Sequence, residues 1–380
     1  MYNRIQIFEG AENESLFLWG ARQTGKSTLL KKLYPDSLWF DLLLTDIYER
    51  LLKHPLQLRE IVIASESNNP IIIDEIQKLP KLLDEVHWLI ENTSNRFILS
   101  GSSPRNILRS GANLLGGRAL RYEMFPLVSN EIPDFDLMRA INNGLLPRHY
   151  LANNPKKLIS SYIGNYLREE IMAEARIRNI TSFSRFLDVA AFSNGEIVNY
   201  TNIASECGVS APTIKEYFQI LVDTLTGRFL PSYQKRPKRR VILAPKFYYF
   251  DVGITNYLLK RGRIEMGSEA MGNAFEHFIY QELFAHSNYS GIEYPIYYWR
   301  TASQIEIDFV LGDHQVAIET KSTTNARPLH AKGLKQFAND YAVKKLLLVT
   351  NDPFPRQMGE VLVLPLRDFL QRLWANDIIS

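Results

Sequence analysis

Cysteine is almost missing from this chain: Cys207 is the single one among 380 residues. One thiol excludes a disulfide scaffold and any zinc site built on clustered cysteines, and it suits a reducing compartment. Long apolar runs are missing as well. None approaches the ~18 residues that a membrane-spanning helix needs, and the opening MYNRIQIFEGAENES lacks the apolar stretch of a secretion signal. The expectation is a cytoplasmic protein with no membrane partner. A surplus of one charge sign is lacking too, since 44 Lys and Arg face 41 Asp and Glu, for a net charge of +3. The seven histidines show no metal-ligand spacing, and His277, His286, His314 and His330 read as surface residues. What remains is 46% apolar and 22% charged residues, which excludes wholesale disorder. At roughly 100–200 residues per domain, the length allows two or three domains.

Four short apolar runs punctuate the first third, at residues 15–20, 37–42, 70–76 and 96–102. Continuous runs of this length suit strands covered on both faces, as in parallel sheets. Between them lie helical stretches, such as Leu79–Glu91 with Leu82, Val86, Leu89 and Ile90 on one face. Alternating strands and helices predict a wound α/β domain over residues 1–130. Residues 131–262 then turn helical. Inside them, IASECGVSAPTIKEYFQILVDTL reads as helix, turn and a second helix capped by Ser210, followed by two β-rich stretches around the basic segment QKRPKRR. Helix-turn-helix followed by a basic hairpin reads as a winged helix. Residues 263–380 return to mixed α/β, with a helix GNAFEHFIYQELFAH and strands YPIYYWR, IEIDFVL, HQVAIETK and KKLLLVT. The Tyr248-Tyr249-Phe250 and Tyr297-Tyr298-Trp299 clusters read as sheet core rather than base-stacking platforms.

Gly20-Ala21-Arg22-Gln23-Thr24-Gly25-Lys26-Ser27 matches the Walker A phosphate loop, and Thr28 continues it into a helix. Glycines let the backbone curl so that its N–H groups face phosphate oxygens at the positive end of that helix. Lys26 is placed to reach β- and γ-phosphates, and Ser27 to offer a hydroxyl to Mg²⁺. Ile71-Ile72-Ile73-Asp74-Glu75 is a Walker B pattern, with Asp74 for Mg²⁺ and Glu75 as the general base. A third strand ends in Ser100-Gly101-Ser102-Ser103, where Ser100 is the first choice to orient the attacking water, with Ser102 behind it. Of the arginines that follow, Arg109, Arg118 and Arg121, the best placed for an arginine finger is Arg118.

From Thr224 to Phe250 there is no acidic residue, while Arg228, Lys235, Arg236, Lys238, Arg239, Arg240 and Lys246 are basic. Such a field attracts phosphate backbones. Thr213, Lys215 and Tyr217 lie with Ser210 on the helix that would enter a major groove. Winged helices also serve as plain structural or protein-binding modules. Farther on, Glu319 and Lys321 share one strand face, and Asp308 ends a neighbouring strand. Two carboxylates and a lysine on one sheet face suit a divalent-metal site.

The order of motifs resembles the AAA+ ATPases. More narrowly, GARQTGKS, IIIDEIQKLP, FILSGSS, GRALRYEMFPL, YYWRTASQIEIDFVL and IETKS resemble a family of predicted prokaryotic ATPases. Those pair an AAA-type domain with a C-terminal region, here one that combines a winged helix with a PD-(D/E)XK, restriction-endonuclease-like domain. That last resemblance adds Glu276 as the helix acid beside Asp308, Glu319 and Lys321. The segment before Walker A is short, and no sensor-2 arginine stands out. The resemblance implies ATP and Mg²⁺ as cofactors, a second divalent metal at the C-terminal site, and a homo-oligomer such as a hexameric ring. The expected function is an ATPase acting on duplex or branched DNA, with cleavage as an added activity. The other reading is an ATP-controlled switch that docks a partner, with a silent nuclease-like domain.

Overall fold

The four apolar runs of the first third become parallel strands: β1 (Ser15–Trp19), β2 (Trp39–Asp41), β3 (Ile71–Asp74) and β4 (Phe97–Gly101). A fifth, β5 (Ala119–Glu123), pairs parallel with β1. It carries no apolar run, because its residues are exposed or half-buried at the sheet edge. In this computed structural model the described residues are 2–8, 10–65, 69–109, 115–172, 179–235 and 241–380. Their packing divides the chain into two units, one of Gln6–Pro126 with Gln219–Thr226, and one of Met1–Ile5, Leu127–Phe218 and Gly227–Ser380.

In the first unit the strand order is β2-β3-β4-β1-β5, all parallel. β4 therefore lies between the strand that enters the phosphate loop and the strand that ends in Asp74. Alternate residues point to opposite faces. Phe17, Ile71, Ile73, Phe97 and Leu99 pack with Leu82, Val86 and Leu89 of the helix Leu82–Asn92. Leu16, Leu18, Ile72 and Ile98 pack with Leu29 and Leu30 of the helix Lys26–Leu33. With both faces covered, the central strands stay apolar up to their C-terminal edge, where polar side chains start.

In the second unit the helices Ile180–Phe192 and Tyr200–Cys207, with Ala211–Phe218 of the helix Ala211–Asp223, stand beside a hairpin of β6 (Gly227–Leu230) and β7 (Lys246–Tyr249). Gly208 takes a positive φ of 67° and ends the helix Tyr200–Cys207, which makes the tight turn between the two helices. Aromatic rings fill the space: Phe218 lies 4.7 Å from Phe247 and 5.7 Å from Phe229, centroid to centroid. Tyr217, expected on the outer face, is instead buried against Phe183 and Phe186.

The helix Glu269–Tyr289 leads into β8 (Ile296–Arg300), β9 (Glu306–Leu311) and β10 (Val316–Thr320), an antiparallel meander. The helix Lys332–Asp340 then crosses to β11 (Lys345–Thr350), parallel to β10. β12 (Arg356–Met358) and β13 (Val361–Pro365) complete a six-stranded sheet ordered β12-β13-β11-β10-β9-β8. Tyr248, Tyr249, Tyr298 and Trp299 are fully buried, as sheet-core residues should be. Two of the histidines read as surface residues are not on the surface. His277 and His286 are each 1% exposed, because the 21-residue helix Glu269–Tyr289 is packed on several sides. No helix among the described residues is long and apolar enough to cross a membrane.

Candidate functional site

At the C-terminal edge of the parallel sheet, β1 gives way to the loop Gly20–Gly25. Gly20 has no room for a side chain, since a Cβ there would strike the carbonyl oxygen of Met124. Gly25 has φ 98° and caps the helix that begins at Lys26, with no side chain shielding its first N–H groups. Thr24 Oγ1 donates to Ala21 O at 2.9 Å, which pins the curl from inside. Arg22 is half-buried, while Gln23, in the left-handed region at φ 66°, and Thr28, on the first turn, are exposed or partly so. Lys26 is buried, and its Nζ donates to Gly20 O at 2.7 Å and Ala21 O at 3.2 Å. Burial lowers its pKa, and the charges of Glu75 and Asp74 oppose that shift.

Asp74 is the last residue of β3, and its register partner on β4 is Ser100. Both serines that flank it donate to its carboxylate: Ser27 Oγ to Oδ2 at 2.6 Å, and Ser100 Oγ to Oδ1. Glu75, one residue beyond the strand, has a positive φ of 61°. For a non-glycine residue that conformation costs on the order of 1 kcal/mol and is kept where surrounding structure enforces it. The enforcement here is polar: Gln77 Nε2 donates to Glu75 Oε2 and also reaches Ser102 Oγ at 2.9 Å. Gln77 was not a sequence candidate, and no spacing rule points to a glutamine two residues after the acid. The residues fit a nucleotide triphosphate with Mg²⁺. The loop amides and Lys26 surround a cradle that a Cβ at Gly20 would spoil, and Ser27 and Asp74 meet as an oxygen pair of the type that Mg²⁺ takes.

The C-terminal carboxylates converge from three elements. Thr320 N and Thr320 Oγ1 each donate to Asp308 Oδ2 at 2.7 Å. Glu319 Oε1 pairs with Lys321 Nζ at 2.7 Å, and its Oε2 is buried without a hydrogen-bond partner. Burial, then the charge of Asp308, pushes the Glu319 carboxyl well above its usual range. Glu276 Oε1 accepts from Tyr248 Oη at 2.6 Å and pairs with Lys246 Nζ at 3.1 Å. Burial raises the Glu276 pKa, and Lys246 pulls it back. The Lys246 ammonium also reaches Glu306 Oε1 at 2.5 Å. Among the described residues, no group of three or more His, Cys, Asp and Glu is arranged to hold a metal ion. The four expected residues thus share one neighbourhood, but as an ion-pair cluster, and two members, Lys246 and Glu306, were not read as part of it. Neither was legible, because a lysine in a basic run and a glutamate in a strand are ordinary surface signals.

Residues 12–132 match the AAA domain family. The chain carries an AAA-type ATPase domain. Residues 134–265 and 271–369 match two domains of unknown function, DUF8612 and DUF4143. Two curated uncharacterized proteins, from Mycobacterium tuberculosis and Mycobacterium bovis, are each 25% identical over 348 residues, covering 88% of this chain and 76% of theirs. A Signal Transduction ATPase with Numerous Domains protein with a tetratricopeptide repeat sensor, from Pyrococcus horikoshii, aligns with 74% of this chain at 12% identity and a TM-score of 0.21. This chain spans 46% of that structure.

Within the AAA domain, Arg118 stands away from its own phosphate loop. It precedes β5, whose first residue Ala119 is in register with Ser15, while the loop follows Trp19 at the other end of β1. There the exposed guanidinium pairs with Glu91. The basic segment is only partly described. Arg236, Lys238, Arg239 and Arg240 lie outside the described residues. Arg228 stacks 4.2 Å over the Phe284 ring, Lys235 pairs with Asp313 at 2.6 Å, and Lys246 is 2% exposed. Lys246, one of the seven basic residues of that stretch, adds nothing to an outward field, because the carboxylates of Glu276 and Glu306 hold it inside. On the helix Ala211–Asp223, Ser210 Oγ accepts from Thr213 N at 3.3 Å, and the exposed Lys215 lies 5.3 Å over the Tyr200 ring.

Proposed function

We propose that the chain is a Mg²⁺-dependent ATPase whose nucleotide cycle drives engagement of duplex or branched DNA by its C-terminal region. The observation that carries the ATPase reading is the convergence of Ser27 and Ser100 on the two oxygens of Asp74, with Glu75 held beside it by Gln77. Bound Mg²⁺ and ATP supply a polarised γ-phosphate. With them bound, Lys26 would exchange the carbonyls of Gly20 and Ala21 for phosphate oxygens, Ser27 and Asp74 would hold the ion, and Ser100 would keep Asp74 oriented. Glu75 takes the proton of the attacking water, and Gln77 fixes its carboxylate against rotation. In a homo-oligomer, hexameric or of another ring size, Arg118 serves the site of a neighbouring copy.

The DNA reading rests on the basic segment between β6 and β7 and on the helix-turn-helix beside it. Three modules, 1–130, 131–262 and 263–380, divide the labour in this reading. The order helix, three-stranded meander, helix, parallel strand supports a PD-(D/E)XK-like fold for the last of them. Cleavage has less behind it, because lysine ammonium groups already pair with Glu276 and Glu319. A second reading, a nucleotide-controlled switch that docks a partner protein, is favoured by one observation. Arg228, Lys235 and Lys246 all have partners inside the chain, which leaves less charge for phosphates. The deciding experiment is ATP turnover with and without linear, nicked and branched DNA. Stimulation by DNA that vanishes in Glu75→Gln supports the first reading. Turnover indifferent to every DNA supports the switch.

A further inference from the structure

A buried lysine lies among the carboxylates that the resemblance assigns to a metal ion. Lys246 opens β7, is 2% exposed, and comes from a hairpin rather than from the sheet that carries the carboxylates. Its Nζ is 3.1 Å from Glu276 Oε1 and 2.5 Å from Glu306 Oε1. Glu306 and Asp308 stand two apart on β9 and so share a face, which brings Lys246 alongside Asp308 as well. Arg300 closes the far side, 3.1 Å from Glu306 Oε2, and Lys321 holds Glu319 at 2.7 Å. Three of the four carboxylates, Glu276, Glu306 and Glu319, thus pair with Lys246, Arg300 and Lys321, while Thr320 holds Asp308.

A divalent ion needs several oxygens with lone pairs free to converge at roughly 2.0–2.6 Å. Here Glu276 Oε1 already takes Tyr248 Oη and Lys246 Nζ, and Asp308 Oδ2 takes both donors of Thr320, which leaves the buried Glu319 Oε2 as a single unpartnered oxygen where a divalent ion needs several. An incoming cation would meet the repulsion of a buried ammonium that cannot retreat to solvent. We propose that Lys246 is a built-in cation that takes the place of a divalent metal in this cluster, so that the C-terminal sheet gathers its carboxylates without a metal ion and binds none there. The inference stands apart from the ATPase reading and from DNA engagement, and it bears only on cleavage, which would need the metal.

Binding of Mn²⁺ to the nucleotide-free full chain tests it, read by electron paramagnetic resonance of the free ion. Wild type and Asp308→Asn should show the same number of bound ions, because Asp308 ligates none; weak binding at Ser27 and Asp74 is common to both. Lys246→Met should gain a site at least about tenfold tighter than any in wild type, and Lys246→Met with Asp308→Asn should lose it again. The unfolding temperature of Lys246→Met should fall, because unpaired carboxylates are left facing one another, and recover on adding Mn²⁺. If wild type binds one Mn²⁺ more than Asp308→Asn does, the proposal is overturned. That comparison decides the matter even if Lys246→Met does not fold.

Discussion

Lys26, Glu75 and Ser100 do separable jobs, and substitutions should separate them. Lys26→Ala removes the ammonium that lies 2.7 Å from the loop carbonyl of Gly20 and is positioned to swing to phosphate. Tight ATP binding should be lost, as measured with a fluorescent nucleotide. Glu75→Gln keeps the size and one acceptor, so the hydrogen bond from Gln77 survives and binding should be retained. The proton acceptor is gone, and turnover should drop by about 10²–10⁴. Turnover at the wild-type rate would remove Glu75 from its assigned role. Ser100→Ala should cost less than Glu75→Gln, because it only frees one oxygen of Asp74. These residues were legible because the chemistry is local: the loop needs its glycines at fixed offsets, and a buried strand needs apolar residues up to the edge where it turns polar. Lys246 and Gln77 were not. Their partners, Glu276, Glu306 and Ser102, are set by tertiary packing that no local spacing encodes.

At the scale of elements, the helix Glu269–Tyr289 carries buried titratable groups of opposite sense. Glu282 accepts from Ser129 N at 2.8 Å, Ser129 Oγ at 2.7 Å and Trp374 Nε1 at 2.8 Å, and burial pushes its carboxyl up to about 7. Between its ordinary 4.5 and that value, the folded chain keeps a proton that the unfolded chain has lost. Its stabilising contribution is therefore full below that window and is lost as pH rises through it, by roughly 3 kcal/mol at most. Burial lowers His277 to about 4, which works the other way: stability is lost as pH falls below 6.5. Glu282→Gln should leave the histidine slope exposed. Its unfolding temperature, relative to wild type, should climb from pH 5 to pH 8, and parallel curves would mean that Glu282 carries no such shift. The hairpin β6–β7 makes a second element-scale prediction. Replacing Lys238, Arg239 and Arg240 with Ala should weaken DNA binding at every sequence and reduce the salt slope by about 0.9 for each phosphate no longer neutralised. Unchanged affinity and slope would assign the segment to a protein partner or to solvent.

For the whole molecule, the strands of the AAA domain were readable from apolar runs only where they are covered on both faces; β5, half-exposed at the edge, left no such trace, and the order of the strands is set by tertiary packing. The same edge strand limits what Arg118 can do. The loop and Arg118 lie at opposite ends of the paired strands β1 and β5, a separation of roughly 16 Å for five residues at ~3.3 Å each. No rotamer of an arginine spans that distance, so Arg118 does not serve the phosphates of its own chain, and its partner in this structure is Glu91. Action on a second copy remains the geometry open to it, with the Glu91 pair broken on assembly. In that case Arg118→Ala should lose turnover by about 10³ while still binding ATP. Each active site would then combine Glu75 of one copy with Arg118 of the next. Arg118→Ala and Glu75→Gln proteins, each inactive alone, should regain activity when mixed, since about one site in four, for random equal mixing in a closed ring, pairs an intact Glu75 with an intact Arg118. Wild-type turnover by Arg118→Ala alone, or a mixture as inactive as its two components, would count against a shared site and return Arg118 to a surface ion pair.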